Sequence, residues 1–166
     1  MVEKQVLAKY LFSNIIPSSL ETINICEGTK EVNVSLFVGA NIKEINLSST
    51  VSYIDINTFD NLPLISINVS LDNNTYSSID GILFNKTQTI LLKYPQNKSN
   101  SLYEIPEYVT SIGDSAFKDV NYLKEIILSD YLVIGTNALL GTKLEKITYS
   151  GNYTLNYLFG GNIPTS

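Results

Sequence analysis

A chain of 166 residues with 44% hydrophobic content is long enough for one domain with its own core and too apolar to remain disordered. Its net charge of −5 provides no basic field for nucleic acid or an anionic membrane. With no histidine and one cysteine, it cannot use His-based acid–base chemistry, Ser-His-Asp or Cys-His nucleophiles, His or Cys zinc sites, or internal disulfides.

No apolar run reaches the roughly 18–20 residues of a membrane-spanning helix. The opening Met1-Val2-Glu3-Lys4-Gln5 does not read as a signal peptide. The first recurring string runs from Tyr10 to Ser19, and a near copy runs from Tyr157 to Ser166, an offset of 147. In the first copy Leu20 follows and begins a strand pattern; in the second the sequence stops at that point. This predicts a piece of a longer array with a super-repeat near 147 residues. Its cut ends would expose apolar surface and let copies associate end to end.

Leu20 opens a series. Ile42 and Leu64 follow at intervals of 22, and Leu123 and Leu144 lie 21 apart. Each anchor starts an apolar-x-x-Ile-x-apolar string, such as Ile42-Lys43-Glu44-Ile45-Asn46-Leu47 and Leu123-Lys124-Glu125-Ile126-Ile127-Leu128. Strand alternation turns Leu123, Ile126 and Leu128 inward and Lys124, Glu125 and Ile127 outward. One such unit cannot hide its apolar face alone. Stacked copies can, gaining roughly 25 cal/mol per Å² of apolar surface removed from water. A period in the low twenties with this pattern is the signature of a leucine-rich repeat solenoid. Cys26, directly after the first strand pattern, reads as a small edge residue.

A second segment also recurs: Thr50 to Phe59, Tyr108 to Phe117 and Tyr131 to Leu139. It predicts a short extended piece (Val109 to Ile112), a turn at Gly113-Asp114, and a single helical turn that inserts Phe117 into the core. Asp55 and Asp114 are placed to cap those turns. Asp72-Asn73-Asn74 lacks the spaced carboxylates of a calcium loop and reads as a turn. Among the Asn-x-Ser/Thr strings, Asn73 and Asn97 are the ones expected to be exposed. Ile54 and Ile112 are 58 residues apart, more than one period. The extra stretch, Tyr76 to Pro95, predicts a β-hairpin with strands near Ile82–Asn85 and Thr89–Tyr94 that continues the solenoid sheet. Asn97 to Asn100 is a surface loop, and Leu102 to Ile105 resumes the ladder.

The string Val109-Thr110-Ser111-Ile112-Gly113-x-x-Ala116-Phe117, followed by Leu123-x-x-Ile126-x-Leu128, resembles the BspA-type (Treponema pallidum-type) leucine-rich repeats of bacterial and protist surface proteins. Residues 20–70 and 100–150 carry the resemblance, and Tyr76 to Pro95 is similar to an insert common in such arrays. The family often has Cys between the Phe and the strand; here Val120-Asn121-Tyr122 stands there instead. The resemblance implies a β-rich α/β solenoid: a parallel strand ladder, short convex helical turns and one inserted β-hairpin (76–95), all in one domain over residues 1–166.

The resemblance also implies a secreted or cell-surface protein, not an enzyme and without a cofactor, that mediates adhesion or protein–protein recognition of a protein or host-surface ligand. A structural spacer or stalk, or an accessory repeat region of a larger surface enzyme, is the alternative. The outward strand face is the candidate binding surface: Lys43, Glu44, Asn46, Ser66, Asn68, Lys124, Glu125, Ile127, Glu145, Lys146 and Thr148, flanked by Glu21, Thr22, Asn24, Ile65, Leu102 and Glu104. Lys-Glu neighbours recur on this face, and the same pattern suits plain cross-strand charge pairing.

Overall fold

The computed structural model describes residues 17–33 and 40–149. Most of the two matching strings at 10–19 and 157–166 lies outside the described residues. The chain winds as a coil of short strands, and each turn contributes a primary strand. These are β1 (Thr22–Ile25), β3 (Glu44–Leu47), β5 (Ser66–Val69), β9 (Leu102–Glu104), β11 (Glu125–Leu128) and β13 (Lys146–Tyr149). Second, shorter strands follow: β2 (Glu31–Val32), β4 (Tyr53–Ile54), β10 (Ser111–Ile112) and β12 (Val133–Ile134). Strands β1, β3 and β5 pair in parallel, with Asn24 opposite Asn46 and Asn46 opposite Asn68. Strands β9, β11 and β13 do the same, with Ile126 opposite Tyr103 and Ile147. The repeat period therefore becomes the strand register: a residue meets its counterpart one turn later.

The inward positions are those the alternation predicts. Ile42, Ile45 and Leu47, then Leu64 and Ile67, then Leu123, Ile126 and Leu128 are buried. Leu20 and Leu144, on the outer turns, are half-buried and pack on the same interior. The interior is divided, however. Ile42 and Leu64 belong to one core with Phe59, whereas Leu123 belongs to a second with Phe117 and Tyr94.

The inserted segment makes the partition. It has three strands, one more than the hairpin pattern predicts: β6 (Tyr76–Ile79), β7 (Ile82–Asn85) and β8 (Ile90–Lys93). β6 and β7 are antiparallel, as are β7 and β8, while β8 pairs in parallel with β10. The insert thus extends the sheet of second strands, in the order β12-β10-β8-β7-β6. β7 is buried on both faces: Leu83 enters the first core, and Ile82 and Phe84 enter the second. An unbroken Ile-Leu-Phe run is what a strand apolar on both sides requires. The β6–β7 arm also covers the edges of the first half. The Ile67 N–H donates to the Gly81 carbonyl (2.8 Å), the Val69 N–H to Ser78 Oγ (2.9 Å) and the Ile54 N–H to the Tyr76 hydroxyl (3.1 Å). Strands β5 and β9 accordingly lie in different sheets.

The convex side corrects the expected helical turns and, with them, the α/β class: the described residues are β throughout, apart from one 3-10 turn at Ile56–Phe59. Asp55 caps that turn by accepting from the Asn57 N–H, as expected. On the Ser115–Asp119 segment alternate backbone donors are committed to the next turn of the coil, and those between them bond three residues back within their own turn. The N–H groups of Ser115, Phe117 and Asp119 donate to the carbonyls of Thr136, Ala138 and Leu140. Left-handed residues at Ser115 and Asp119 (φ 55° and 57°) set this alternation and break any helix between them. Asp114 serves the neighbouring turn in place of its own, accepting from the Thr136 N–H at 2.7 Å. Gly135 is needed for room, not for its φ: a Cβ there would lie 2.6 Å from the Asp114 nitrogen.

Where the two cores meet, Asp60 accepts from Lys93 Nζ (2.9 Å) and Lys118 Nζ (2.7 Å). The Lys93 side chain is 1% exposed. Burial pushes its ammonium below the ordinary lysine value, and the bond to Asp60 restores part of the loss. Burial would raise the Asp60 carboxyl, but the two lysines outweigh it and hold that group below the usual carboxylate range.

Candidate recognition faces

The outward residues of the primary strands form two faces where the sequence suggests one, because the β6–β7 arm stands between β5 and β9. Lys43, Glu44, Asn46, Ser66 and Asn68 lie on the first face. Lys124, Glu125, Ile127, Glu145, Lys146 and Thr148 lie on the second. Ser66 is half-buried under the arm: a Cβ on Gly81 would lie 2.8 Å from the Ser66 Cβ.

On the first face, strict register turns one asparagine per turn into a ladder. Asn68 Nδ2 donates to Asn46 Oδ1 (2.9 Å), and Asn46 Nδ2 donates to Asn24 Oδ1 (2.8 Å). Asn68 also donates to Glu44 (2.9 Å), and Lys43 pairs with Glu21. On the second face Lys124 pairs with Glu145 (2.6 Å) and Lys146 with Glu125 (2.7 Å), while the Thr148 hydroxyl donates to Glu125 (3.1 Å). The Lys146 hydrogen bond, aided by Thr148, holds the Glu125 carboxyl below its ordinary range. Both lysine–glutamate pairs join neighbouring turns, as the recurring Lys-Glu motif suggests. They are solvent-exposed, so each holds its partner's position more than it stabilises the fold.

Apolar side chains interrupt the charges: Ile65 and Leu102 are 47% and 48% exposed. Beside the second face lies a cleft of about 330 Å³ lined by Glu104, Glu107, Ile127, Ser129, Asp130 and Tyr131, among others. Sequence reading reaches Glu104 and Ile127 but not the rest, because the cleft is made where a strand end meets the following turn.

Two corner residues were also missed. Glu27 accepts from the backbone and hydroxyl of Ser49 one turn later (2.9 and 2.8 Å), and these bonds lower its carboxyl. Asn73, expected to be an exposed acceptor for glycosylation, is fully buried. Asn97 is half-buried, with its side-chain oxygen taken by Asn121 Nδ2 (2.8 Å). Cys26 is exposed at the end of β1. Among the described residues no group of three or more His, Cys, Asp or Glu side chains is placed to hold a metal ion. No helix among them is long and apolar enough to cross a membrane.

Comparison with known proteins agrees with this architecture. A leucine-rich cell surface protein from Faecalibacterium prausnitzii superposes with a TM-score of 0.64 at 24% identity, over 80% of this chain and 42% of that one. A leucine-rich repeat protein from Eubacterium ventriosum gives 0.63 at 23% identity, over 85% of this chain and 45% of that one. The pneumococcal vaccine antigen PcpA gives 0.59 at 24% identity, over 80% of this chain and 43% of that one. The chain therefore spans less than half the length of these solved structures. No curated protein sequence matches significantly. The sequence profile of the BspA type leucine-rich repeat region matches in six copies over residues 5–101 and 93–160, so the chain belongs to the BspA-type leucine-rich repeat family.

Proposed function

We propose that this chain is a non-enzymatic recognition segment of an extracellular or cell-surface protein, mediating adhesion or protein–protein contact through its outward strand faces. The observation that carries the reading is the second face. Its side chains are fixed by strand register, its charges are ordered by cross-turn pairing, and apolar Leu102 and Ile127 sit among them beside an open cleft. Such a preordered, mixed surface loses little freedom when a protein partner docks. The F. prausnitzii protein is described as a cell surface protein and PcpA as a vaccine antigen, which supports the proposed location.

A second reading, that the segment is a spacer holding another domain away from the cell, is favoured by a specific feature. The asparagine ladder and the lysine–glutamate pairs satisfy one another and leave little unmet hydrogen-bonding demand for a ligand. Replacing Lys124, Glu125, Glu145 and Lys146 together with alanine separates the two readings. On the recognition reading, binding of the purified protein to cultured host cells or immobilised matrix protein falls at least about tenfold, with the unfolding midpoint little changed because exposed pairs contribute little. Unchanged binding contradicts recognition through this face.

A further inference from the structure

The described coil divides at the β6–β7 arm, and Asp60 is placed to hold the two halves together. Residues of the first half pair among themselves in the β1-β3-β5 and β2-β4 sheets, and those of the second in the β9-β11-β13 and β12-β10-β8-β7-β6 sheets. The edge backbone N–H groups of Ile54, Ile67 and Val69 in the first half end on the arm. Each half has its own core, bridged through Leu83 and Leu92. One backbone bond, from the Asn97 N–H to the Leu64 carbonyl (2.7 Å), joins the loop beyond the insert to the first half. Asp60 supplies the ionic tie: it belongs to the first half and accepts from Lys93 and Lys118, both of the second.

We infer that Asp60 is an acid-sensitive latch: its protonation uncouples the two halves while each keeps its own sheets. The charged groups around it are Lys93 and Lys118, which bond to it, and Asp119, whose charge acts on both lysines. Within the second half, close to the seam, Lys98 Nζ pairs with Asp80 at 3.0 Å on the tip of the arm. At neutral pH the Asp60 carboxylate neutralises a buried ammonium. Protonated, it leaves the buried Lys93 ammonium without a neutralising charge, held only by neutral acceptors such as the Ser115 carbonyl (3.1 Å). Because the folded carboxyl titrates below its unfolded value, its contribution is complete above the ordinary carboxylate range and disappears as pH falls through the folded value.

Residue-resolved hydrogen exchange on the whole chain tests this. Between about pH 6 and about pH 2.5, protection of the Ile54, Ile67 and Asn97 amides should fall at least tenfold more than that of Ser70 and Gly113, whose bonds lie within one half. Asp60→Asn should cause the same selective loss at about pH 6, and wild type and variant should converge in acid. The double substitution Asp60→Leu with Lys93→Met should restore protection and make it flat with pH. Parallel loss in both sets of amides, wild-type protection in Asp60→Asn, or acid sensitivity surviving in the double variant (which would place the switch at Asp80 or Asp119) would each overturn the latch.

Discussion

Phe117→Ala should destabilise the protein by about 3–5 kcal/mol, measured by chemical denaturation. Phe117 is fully buried and stacks on Tyr94 with ring centroids 5.0 Å apart, while Tyr103 tilts against it at 6.1 Å. Its backbone cannot follow the lost ring inward, because the Phe117 N–H is held by the Ala138 carbonyl one turn on at 2.8 Å. The cavity should therefore stay largely open, which places the cost toward the upper part of that range. Phe117→Leu, which keeps most of the volume, should cost about 1.5 kcal/mol or less. A small effect of the alanine substitution would mean that the turns of the coil are free to close up, against the tight stacking described above.

The second large effect is expected at a polar residue. Asn73 ties three parts of the chain together. Its Nδ2 donates to the Ser48 and Val51 carbonyls (2.9 and 2.8 Å), and its Oδ1 accepts from the Thr75 and Tyr76 N–H groups (2.9 and 2.8 Å). Truncation to alanine removes a partner from two donors and two acceptors, of which the Ser48 carbonyl keeps the Val51 N–H and Thr75 is exposed, and should cost about 2–4 kcal/mol, since each buried unsatisfied group costs about 1–3 kcal/mol. Asn73→Asp should be at least as harmful. It keeps the acceptor but sets a carboxylate against two carbonyls. Asn74→Ala, one residue along and exposed, should stay within about 0.5 kcal/mol of wild type. Equal unfolding midpoints for the Asn73 and Asn74 variants would contradict the assignment.

What could be read from the sequence follows from which forces are local. The spacing of Leu20, Ile42 and Leu64 gave the register of β1, β3 and β5, because in a stacked coil the period and the strand pairing are one quantity. Strand alternation gave the inward and outward sets for the same reason, and the Ile-Leu-Phe run of β7 located the insert. The absence of convex helix was not legible at Ala116-Phe117: whether those amides bond within their own turn or to the next depends on a neighbour 21 residues away. β6 was missed because Tyr76-Ser77-Ser78-Ile79 is only weakly apolar. It is held by pairing with β7 and by the closing of the first half, not by its own pattern. Asp60 with Lys93, and Asn73 with Val51, are contacts between residues that no motif links. Each looks like an ordinary turn or surface residue until the coil brings it inside. The candidate face was legible in its residues but not in its division, since nothing in the hairpin pattern says which edge its tip will cover.

Through-space backbone contacts in solution NMR test the stacked coil most directly. In-register parallel turns predict contacts linking Asn24 to Asn46, Asn46 to Asn68, and Glu125 to Lys146, with Ile67 contacting Gly81 and no ladder between β5 and β9. Antiparallel contacts among the primary strands, a register displaced by one residue, or a continuous ladder from β5 to β9 would contradict it.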